Sequence, residues 1–175
     1  MQYKLLNAKN SFTFLFLMIT ITFTNCTNAQ KNNNMAKNKY YSKTDTSKIS
    51  VNNEEWKENL DKNVYEIARQ KGTERAFSGE FWNSKEVGLY RCKACGNALF
   101  KSDGKFESSC GWPSFFEPIS PNSVIYAKDK SYGMDREEVM CGRCEAHLGH
   151  IFDDGPPPTY KRYCINSVIL DFEKK

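Results

Sequence analysis

The sequence lacks an apolar run long enough to cross a membrane as a helix. Its longest apolar stretch, FTFLFLMITITF, covers only residues 12–23, whereas a membrane-spanning helix needs about 20 apolar residues. Two lysines, Lys4 and Lys9, precede this stretch. A short basic start before an apolar run of this length is typical of a signal peptide, and an uncleaved anchor or a frayed terminus is the alternative. The sequence therefore predicts export, with the signal within residues 1–26.

The sequence also lacks a basic excess in the part that can fold. The formal net charge of the chain is +4, from 25 basic and 21 acidic residues, and residues 1–50 hold seven lysines and one aspartate. Subtraction leaves 18 basic and 20 acidic residues in 51–175, a balance of −2. Nucleic-acid-binding domains usually carry a clear basic patch, so no nucleic-acid partner is expected.

The fate of the N-terminal tail depends on where the signal is cut. Cys26 lies just after the apolar stretch, where a lipoprotein is cleaved and acylated, although the preceding FTN does not match the small residues usual there. Cleavage after Ala29 is the competing outcome. Residues 27–50 have too little apolar content to fold, which predicts a disordered linker. The expected location is periplasmic or on the outer surface, with membrane attachment through the N-terminus if Cys26 is lipidated.

Residues 51–175 are expected to form one domain that begins with short helices and continues as β-structure. Asn52 is placed to cap a first helix, with Glu55 three residues later, and Gly72 is placed to end a second one. Short β-type runs then alternate with Gly, Pro, Asp and Ser clusters. These runs are GLYRC, NALF, SVIYAKD, EEVMC and YKRYCINSVILDF. The missing βαβ pattern counts against a thioredoxin-type oxidoreductase.

The chain has seven cysteines, and four of them form a repeated motif. Two pairs have the spacing C-x-x-C, CKAC at Cys92 and Cys95 and CGRC at Cys141 and Cys144. Two turns of this kind together make a closed tetrahedral site for one structural Zn²⁺ ion. A redox-active C-x-x-C and a disulfide framework are the alternatives, and the doubled motif favours zinc.

Cys110 and Cys164 are the two cysteines of the folded part that the repeated motif leaves over. In YKRYCINSVIL, strand alternation puts Arg162, Cys164 and Asn166 on one face. A cation beside a thiol favours the reactive thiolate, whereas free cysteines are also common in hydrophobic cores. The residues around Cys164 therefore leave both a nucleophile and a core residue open.

The two histidines, His147 and His150, both lie in the segment CEAHLGHIFDDGP. Three interpretations compete: zinc ligands together with one C-x-x-C pair, structural residues, or a catalytic acid/base pair. The first would leave the other C-x-x-C pair without partners, so the cysteine count disfavours it. Trp112 follows in CGWPSFFEP, where a turn set by Gly and Pro either holds the indole outward or fixes it in a core.

Several longer motifs resemble those of a known family. GWPSF, CGRCEAHLGHIFDDGP and RYCINS resemble the signature segments of the B-type peptide-methionine (R)-S-oxide reductases. EEWKENL, KGTERAFSGEFW and YRCKACGNALF are also similar to segments of that family. The resemblance covers roughly residues 53–173 and leaves the tail out.

This resemblance implies a mainly β fold of two antiparallel sheets in a barrel-like body, with short N-terminal helices and a four-cysteine zinc site. It implies a thiol-dependent enzyme that reduces methionine (R)-sulfoxide in oxidised proteins and is recycled by a thioredoxin-like reductant. Cys164 is the implied nucleophile, which becomes a sulfenic acid. Cys110 is the implied resolving thiol, which forms a disulfide with Cys164.

The resemblance also implies roles for five supporting residues. Trp112 receives the S-methyl group of the substrate. His147 and His150 polarise or protonate the sulfoxide oxygen. Arg162 and Asn166 support the site around the nucleophile. The expected protein is a monomer.

A non-catalytic, zinc-ribbon-like binding module is the alternative from another class. It accounts for the doubled C-x-x-C motif. It leaves Cys110 and Cys164 without a role, and the charge balance of the folded part gives it no electrostatic support.

Overall fold

The computed structural model describes residue 1 and residues 38–175 of the chain. The predicted signal peptide, the alternative cleavage points at Cys26 and Ala29, and the first part of the predicted linker lie outside the described residues. Within residues 38–175, no helix combines the length and the apolar character that a bilayer crossing requires.

Two short α-helices precede the sheets, α1 (Asn53–Asn59) and α2 (Lys62–Gln70). The Asn52 side chain accepts a hydrogen bond from the Glu55 N–H at 2.9 Å, which confirms the predicted N-cap. Trp56 is the buried residue of α1 and joins the hydrophobic core. The first helix is therefore fixed by a polar cap and one large apolar anchor.

The second helix ends one residue before the position that Gly72 predicts. Lys71 takes the left-handed conformation, with φ 55°, and the Gly72 N–H donates to the Glu66 carbonyl at 3.0 Å. The N–H of Lys71 donates to the same Glu66 carbonyl, so the last turn of the helix closes around a left-handed residue, a position that glycine usually occupies. A lysine holds that position here.

Nine β-strands form two antiparallel sheets within residues 38–175. They are β1 (Gly88–Cys92), β2 (Ala98–Lys101), β3 (Lys105–Phe106), β4 (Ser114–Phe115), β5 (Val124–Asp129), β6 (Arg136–Cys141), β7 (His147–Phe152), β8 (Arg162–Ile165) and β9 (Leu170–Lys174). One sheet has the order β2-β1-β9 and the other the order β3-β4-β8-β7-β6-β5. The predicted mainly β fold with two antiparallel sheets and short helices is confirmed. The two sheets remain open in the described part of the chain and do not close into a barrel.

The stretch YKRYCINSVIL forms two strands rather than the one that its sequence predicts. Strand β8 ends at Ile165, a 3₁₀ turn (Ser167–Ile169) follows, and β9 then joins the other sheet. Strand β7 is not predicted either, because HLGHIF contains two histidines and a glycine instead of a β-type alternation.

The hydrophobic core lies between the two sheets. Tyr90 of β1 and Phe100 of β2 contact Phe115 of β4, with ring centroids 5.1 and 4.4 Å apart. All three rings are fully buried. These aromatic contacts fix the position of the short strand β4 against the core. Strand β4 in turn pairs with β8.

Residues 38–50, the part of the predicted linker that the structure describes, lie against the β body. The buried Arg143 guanidinium donates to the carbonyls of Tyr40 at 3.2 Å and Ser47 at 3.1 Å and to the Asp45 carboxylate at 2.8 Å. The composition of this segment favours disorder, but most of these contacts are made by its backbone and do not depend on its composition. The folded body therefore extends ahead of residue 51.

Candidate active site

Cys164 lies on β8, between β4 and β7 in the six-stranded sheet. In the antiparallel register, Ser114 of β4 and His150 of β7 stand directly opposite Cys164. Opposite residues share one face of a sheet, with Cβ atoms about 5 Å apart. The two neighbours on β8, Tyr163 and Ile165, are buried in the core. Cys164 therefore faces away from the core and is half-buried, as the strand alternation predicts.

A second thiol, Cys110, faces Cys164 from the loop between β3 and β4. The two Sγ atoms are 3.5 Å apart, and both residues are free thiols. Ser108 Oγ and Ser114 Oγ lie 2.9 and 3.4 Å from the Cys110 sulfur. A disulfide needs an S–S distance of about 2.05 Å, so a shift of the loop by about 1.5 Å is sufficient to close the bond.

The two sulfurs are within hydrogen-bond distance, and their surroundings favour the negative charge on Cys110. The Cys164 thiol and the hydroxyl groups of Ser108 and Ser114 donate to Cys110, which lowers the pKa of Cys110 to about 4. The same hydrogen bond, together with burial, raises the pKa of Cys164 well above its ordinary value. The Arg162 guanidinium lowers the pKa of Cys164 to a smaller extent. Near neutral pH the pair is therefore singly ionised.

Arg162 is held in place by an acidic partner and an aromatic ring. Its Nε and Nη2 atoms lie 2.8 and 2.9 Å from the two carboxylate oxygens of Asp154, a bidentate pair. The guanidinium also lies 4.4 Å from the centroid of the Phe152 ring. These contacts fix a positive charge two residues before Cys164 on the same strand.

A cleft of about 110 Å³ opens at the thiol pair. Trp112 and Phe152 give it apolar walls, and Cys164 and His150 are part of its lining. The other lining residues are Thr73, Arg136, Gly149 and Asn166. Pockets for drug-sized ligands begin at about 300 Å³, so this cleft suits the end of one side chain rather than a large cofactor.

Each histidine is hydrogen-bonded to a carboxylate on another strand. His150 Nε2 lies 2.7 Å from Asp129 Oδ2, and His147 Nδ1 lies 2.8 Å from Glu138 Oε1. The two imidazole rings meet edge to face, with centroids 5.4 Å apart. His150 lines the cleft, whereas His147 is only 3% exposed and is not among the lining residues. The sequence motifs single out the histidines but neither carboxylate.

Glu74 connects several parts of the site and is also not singled out by the sequence. Its carbonyl accepts from Trp112 Nε1 at 3.1 Å, and its N–H donates to Asn166 Oδ1 at 3.0 Å. Its carboxylate accepts the N–H groups of Ser167 at 2.6 Å and Val168 at 2.9 Å. The one sequence signal for Glu74 is its place in the segment KGTERAFSGEFW, which resembles the family named above.

The four cysteines of the two C-x-x-C motifs form a separate, buried cluster. Their sulfur atoms all lie within 4.8 Å of one another. Cys92 Sγ is 3.8 Å from Cys144 Sγ, and Cys95 Sγ is 3.6 Å from Cys141 Sγ. Four thiolates at about 2.3 Å from a zinc ion stand about 3.8 Å apart in a tetrahedron. The cluster can therefore hold a metal ion, as predicted, and joins β1 of one sheet to β6 of the other.

The histidines have no part in this cluster, which consists of cysteines only. The structure thus brings Cys164, Trp112, His150 and Asn166 together around one cleft. Three other predicted site residues, Cys110, His147 and Arg162, contact lining residues, namely Cys164, His150 and Phe152.

The comparisons with known proteins agree with this arrangement. A family model described as the SelR domain matches residues 60–174. A protein of Agrobacterium fabrum named peptide methionine sulfoxide reductase MsrB is 52% identical over 126 residues, which are 72% of this chain and 93% of the relative. The protein of the same name from Methanosarcina barkeri is 56% identical over 125 residues, 71% of this chain and 88% of the relative. That from Pseudomonas fluorescens is 53% identical over 124 residues, 71% of this chain and 95% of the relative.

The SelR-domain model covers more than half of the chain, so this is a SelR-domain protein. Within that class, the chain belongs to the MsrB family of peptide methionine sulfoxide reductases.

Proposed function

We propose that this protein reduces methionine (R)-sulfoxide residues of oxidised proteins to methionine, with Cys164 as the nucleophile. The observation that carries the proposal is the Cys110–Cys164 thiol pair, 3.5 Å apart, with Cys164 lining a small cleft. Oxidation makes methionine polar and chiral, and a separate enzyme restores each epimer. The names of the relatives support methionine sulfoxide as the substrate, and the family resemblance supports the R epimer.

The cleft walls suit the end of an oxidised methionine side chain. The Trp112 indole and the Phe152 ring offer apolar surface to the S-methyl group. The indole is fixed by its hydrogen bond to the Glu74 carbonyl. With the methyl group against these rings, the sulfoxide sulfur reaches Cys164 and its oxygen reaches the side that carries the histidines.

The first chemical step moves oxygen from the substrate to Cys164. The proton of the thiol pair passes from Cys164 to Cys110, and the Arg162 charge stabilises the thiolate that forms on Cys164. This thiolate attacks the sulfoxide sulfur while a histidine donates a proton to the oxygen. The protonated oxygen then passes from the substrate sulfur to the Cys164 sulfur, and the transient bond between the two sulfurs breaks, which leaves methionine and Cys164 as a sulfenic acid. The substrate sulfur gains the two electrons that the Cys164 sulfur loses.

The second step forms a disulfide and releases water. The Cys110 thiol attacks the Cys164 sulfur, the S–S bond forms, and the oxygen leaves with the Cys110 proton as water. One proton of this water comes from Cys110. The other is the proton that the histidine donated to the oxygen in the first step. Rapid formation of the disulfide prevents irreversible oxidation of Cys164. A thioredoxin-like dithiol then reduces the disulfide by thiol exchange.

We assign a structural Zn²⁺ ion to the four-cysteine cluster. Four thiolate ligands complete the tetrahedral shell of zinc and leave no position for a substrate. Bound there, the ion supplies folding free energy rather than catalysis. The cluster and the cleft share no residue among those that the structure describes.

A stereospecific assay tests the reductase proposal. The full chain is incubated with dithiothreitol and with separate R and S epimers of a blocked methionine sulfoxide. We expect methionine from the R epimer only, and no turnover by Cys164→Ser. Reduction of the S epimer, or full activity of Cys164→Ser, would contradict the proposal.

We also propose that the protein is exported, on the strength of the basic start and the apolar run in residues 1–26. A mass measurement of the N-terminus of the protein produced in its own host distinguishes three outcomes. An acylated Cys26 or a start at Gln30 supports export, and an intact Met1 contradicts it.

A further inference from the structure

Glu138 is a buried carboxylate for which the mechanism above gives no role. It lies on β6 and is only 1% exposed. Its Oε1 atom lies 2.8 Å from His147 Nδ1, and its Oε2 atom lies 2.7 Å from Lys71 Nζ. A charge this deeply buried is costly unless both oxygens are engaged. Glu138 therefore has one partner for each oxygen.

His147, unlike Glu138, has a polar atom that makes no hydrogen bond to the described residues. Its Nε2 atom is buried and has no hydrogen-bond partner among the described residues. Since Glu138 occupies Nδ1, Nε2 is the one ring nitrogen left for a bound molecule. The ring lies against His150, which lines the cleft. A buried, unpaired nitrogen beside a reaction cleft indicates a group that is satisfied when substrate binds.

Lys71 links this pair to the protein surface. Its side chain is 64% exposed, while that of Glu138 is 2% exposed. The Lys71 backbone is left-handed, with φ 55°, and Gly72 follows directly. A lysine in that conformation is less favourable than a glycine. The arrangement places an ammonium group, which a glycine would lack, on Glu138 Oε2.

We propose that Glu138 is a positioning residue that orients His147 so that Nε2 delivers a proton to the sulfoxide oxygen, with Lys71 holding the second carboxylate oxygen of Glu138. This inference rests on the proposed reductase function. The Nε2–H bond breaks as the O–H bond forms, and His147 then takes a new proton from solvent. Glu138 accepts from Nδ1 and stabilises the imidazolium, as the carboxylate of a catalytic triad does.

The charges around His147 fix the direction of the expected pH effect. Burial lowers the pKa of His147, Glu138 raises it, and the charges of His150 and Lys71 lower it. The proposed step needs protonated His147, so kcat falls as pH rises through the pKa of His147. Removal of the Glu138 charge lowers that pKa further and moves the alkaline fall of kcat to lower pH.

The experiment compares Glu138→Gln with Glu137→Gln in the full chain. Glu137 is the matched control, since it directly precedes Glu138 on β6 and is exposed. We expect Glu138→Gln to lower kcat at pH 7.5 at least about ten-fold and to shift the alkaline fall by about one pH unit, with KM nearly unchanged. Glu137→Gln should keep the wild-type profile. An unshifted profile for Glu138→Gln would overturn the inference.

A measurement on the wild-type protein covers the case in which Glu138→Gln does not fold. Nitrogen-15 NMR of the imidazole groups should show neutral His147 with its proton on Nδ1. A proton on Nε2 in the neutral form would overturn the inference. An inactive wild-type protein would instead count against the proposed function, so the two failures are distinguishable.

Discussion

At the scale of single residues, the thiol pair shows how neighbours decide which sulfur carries a charge. Cys110 faces two hydroxyl groups, at 2.9 and 3.4 Å, as well as the Cys164 thiol. Cys164 faces one cation, Arg162, whose guanidinium is engaged by Asp154. The thiol that initiates the chemistry in the proposed mechanism is therefore not the more acidic thiol of the resting pair.

This charge distribution predicts which cysteine an alkylating agent modifies first. With a pKa of about 4, Cys110 is ionised at pH 6, whereas Cys164, with its raised pKa, is protonated. Iodoacetamide at pH 6 should therefore label Cys110 before Cys164, and peptide mass spectrometry identifies the site. Ser108→Ala removes one donor and raises the pKa of Cys110, so the midpoint of a titration of the labelling rate against pH should move to higher pH. First labelling at Cys164 would contradict the assignment.

Ser120→Ala is a suitable control, since Ser120 is exposed and contacts Ser123 rather than either thiol. The midpoint of its labelling titration should equal that of the wild type.

Replacement of the second thiol should separate one turnover from many. Cys110→Ser keeps Cys164 in the cleft but removes the partner 3.5 Å away. We expect about one methionine formed per enzyme molecule in a rapid-quench experiment and no steady-state turnover with thioredoxin. Normal recycling by thioredoxin would show that another thiol forms the disulfide.

At the scale of secondary-structure elements, the site depends on the close approach of β7 to β8. Gly149 stands between the two histidines, and a Cβ atom there would lie 2.0 Å from the Cys164 carbonyl oxygen. The glycine thus allows His150 to stand opposite Cys164 in the register. The same glycine weakens the β-type pattern of HLGHIF, which is why the sequence does not predict β7.

Much of the site could be predicted from the sequence because its groups occur in compact motifs. CKAC and CGRC indicated the metal cluster, and the left-over Cys110 and Cys164 do meet in space. Glu138 and Glu74 could not be predicted in the same way. Their roles depend on register and on long-range backbone contacts, which have no local pattern.

Two features of the fold could not be predicted from the sequence either: the turn after β8 and the packing of the segment before residue 51. A continuous β-type run does not reveal that the chain changes sheets at Ser167–Ile169. A polar composition does not reveal that backbone carbonyls are bound by an arginine elsewhere in the chain.

The four-cysteine cluster joins the ends of two strands from different sheets, so its loss should affect the whole body. Cys92→Ser removes one of four sulfur atoms that all lie within 4.8 Å of one another. We expect loss of most of the bound zinc, read by atomic absorption, and a melting temperature lower by about 10 °C or more. Cys110→Ser should keep both the metal content and the melting temperature. Unchanged metal in Cys92→Ser would contradict the zinc assignment.

At the scale of the whole molecule, Arg143 ties the segment before α1 to the body. It is 4% exposed and donates to the carbonyls of Tyr40, Ser47 and Cys95. Arg143→Met removes the shared donor of these carbonyls and should lower the free energy of unfolding by about 2–4 kcal/mol. Urea denaturation measures this change.

Lys48→Met is the matched control, since Lys48 is 71% exposed and its ion pair with Glu145 is 4.0 Å long. An exposed pair of this kind contributes about 0–1 kcal/mol. Equal stabilities of Arg143→Met and Lys48→Met would contradict the role given to Arg143.

The position of Cys95 has a consequence for the turnover of the protein in its host. Its sulfur belongs to the metal cluster, while its carbonyl oxygen accepts from Arg143 and from the Ser42 N–H. A chain that loses its ion therefore also loosens residues 38–50. Unpaired peptide backbone is what endoproteases cut, so degradation should begin at this segment and select the zinc-depleted molecules.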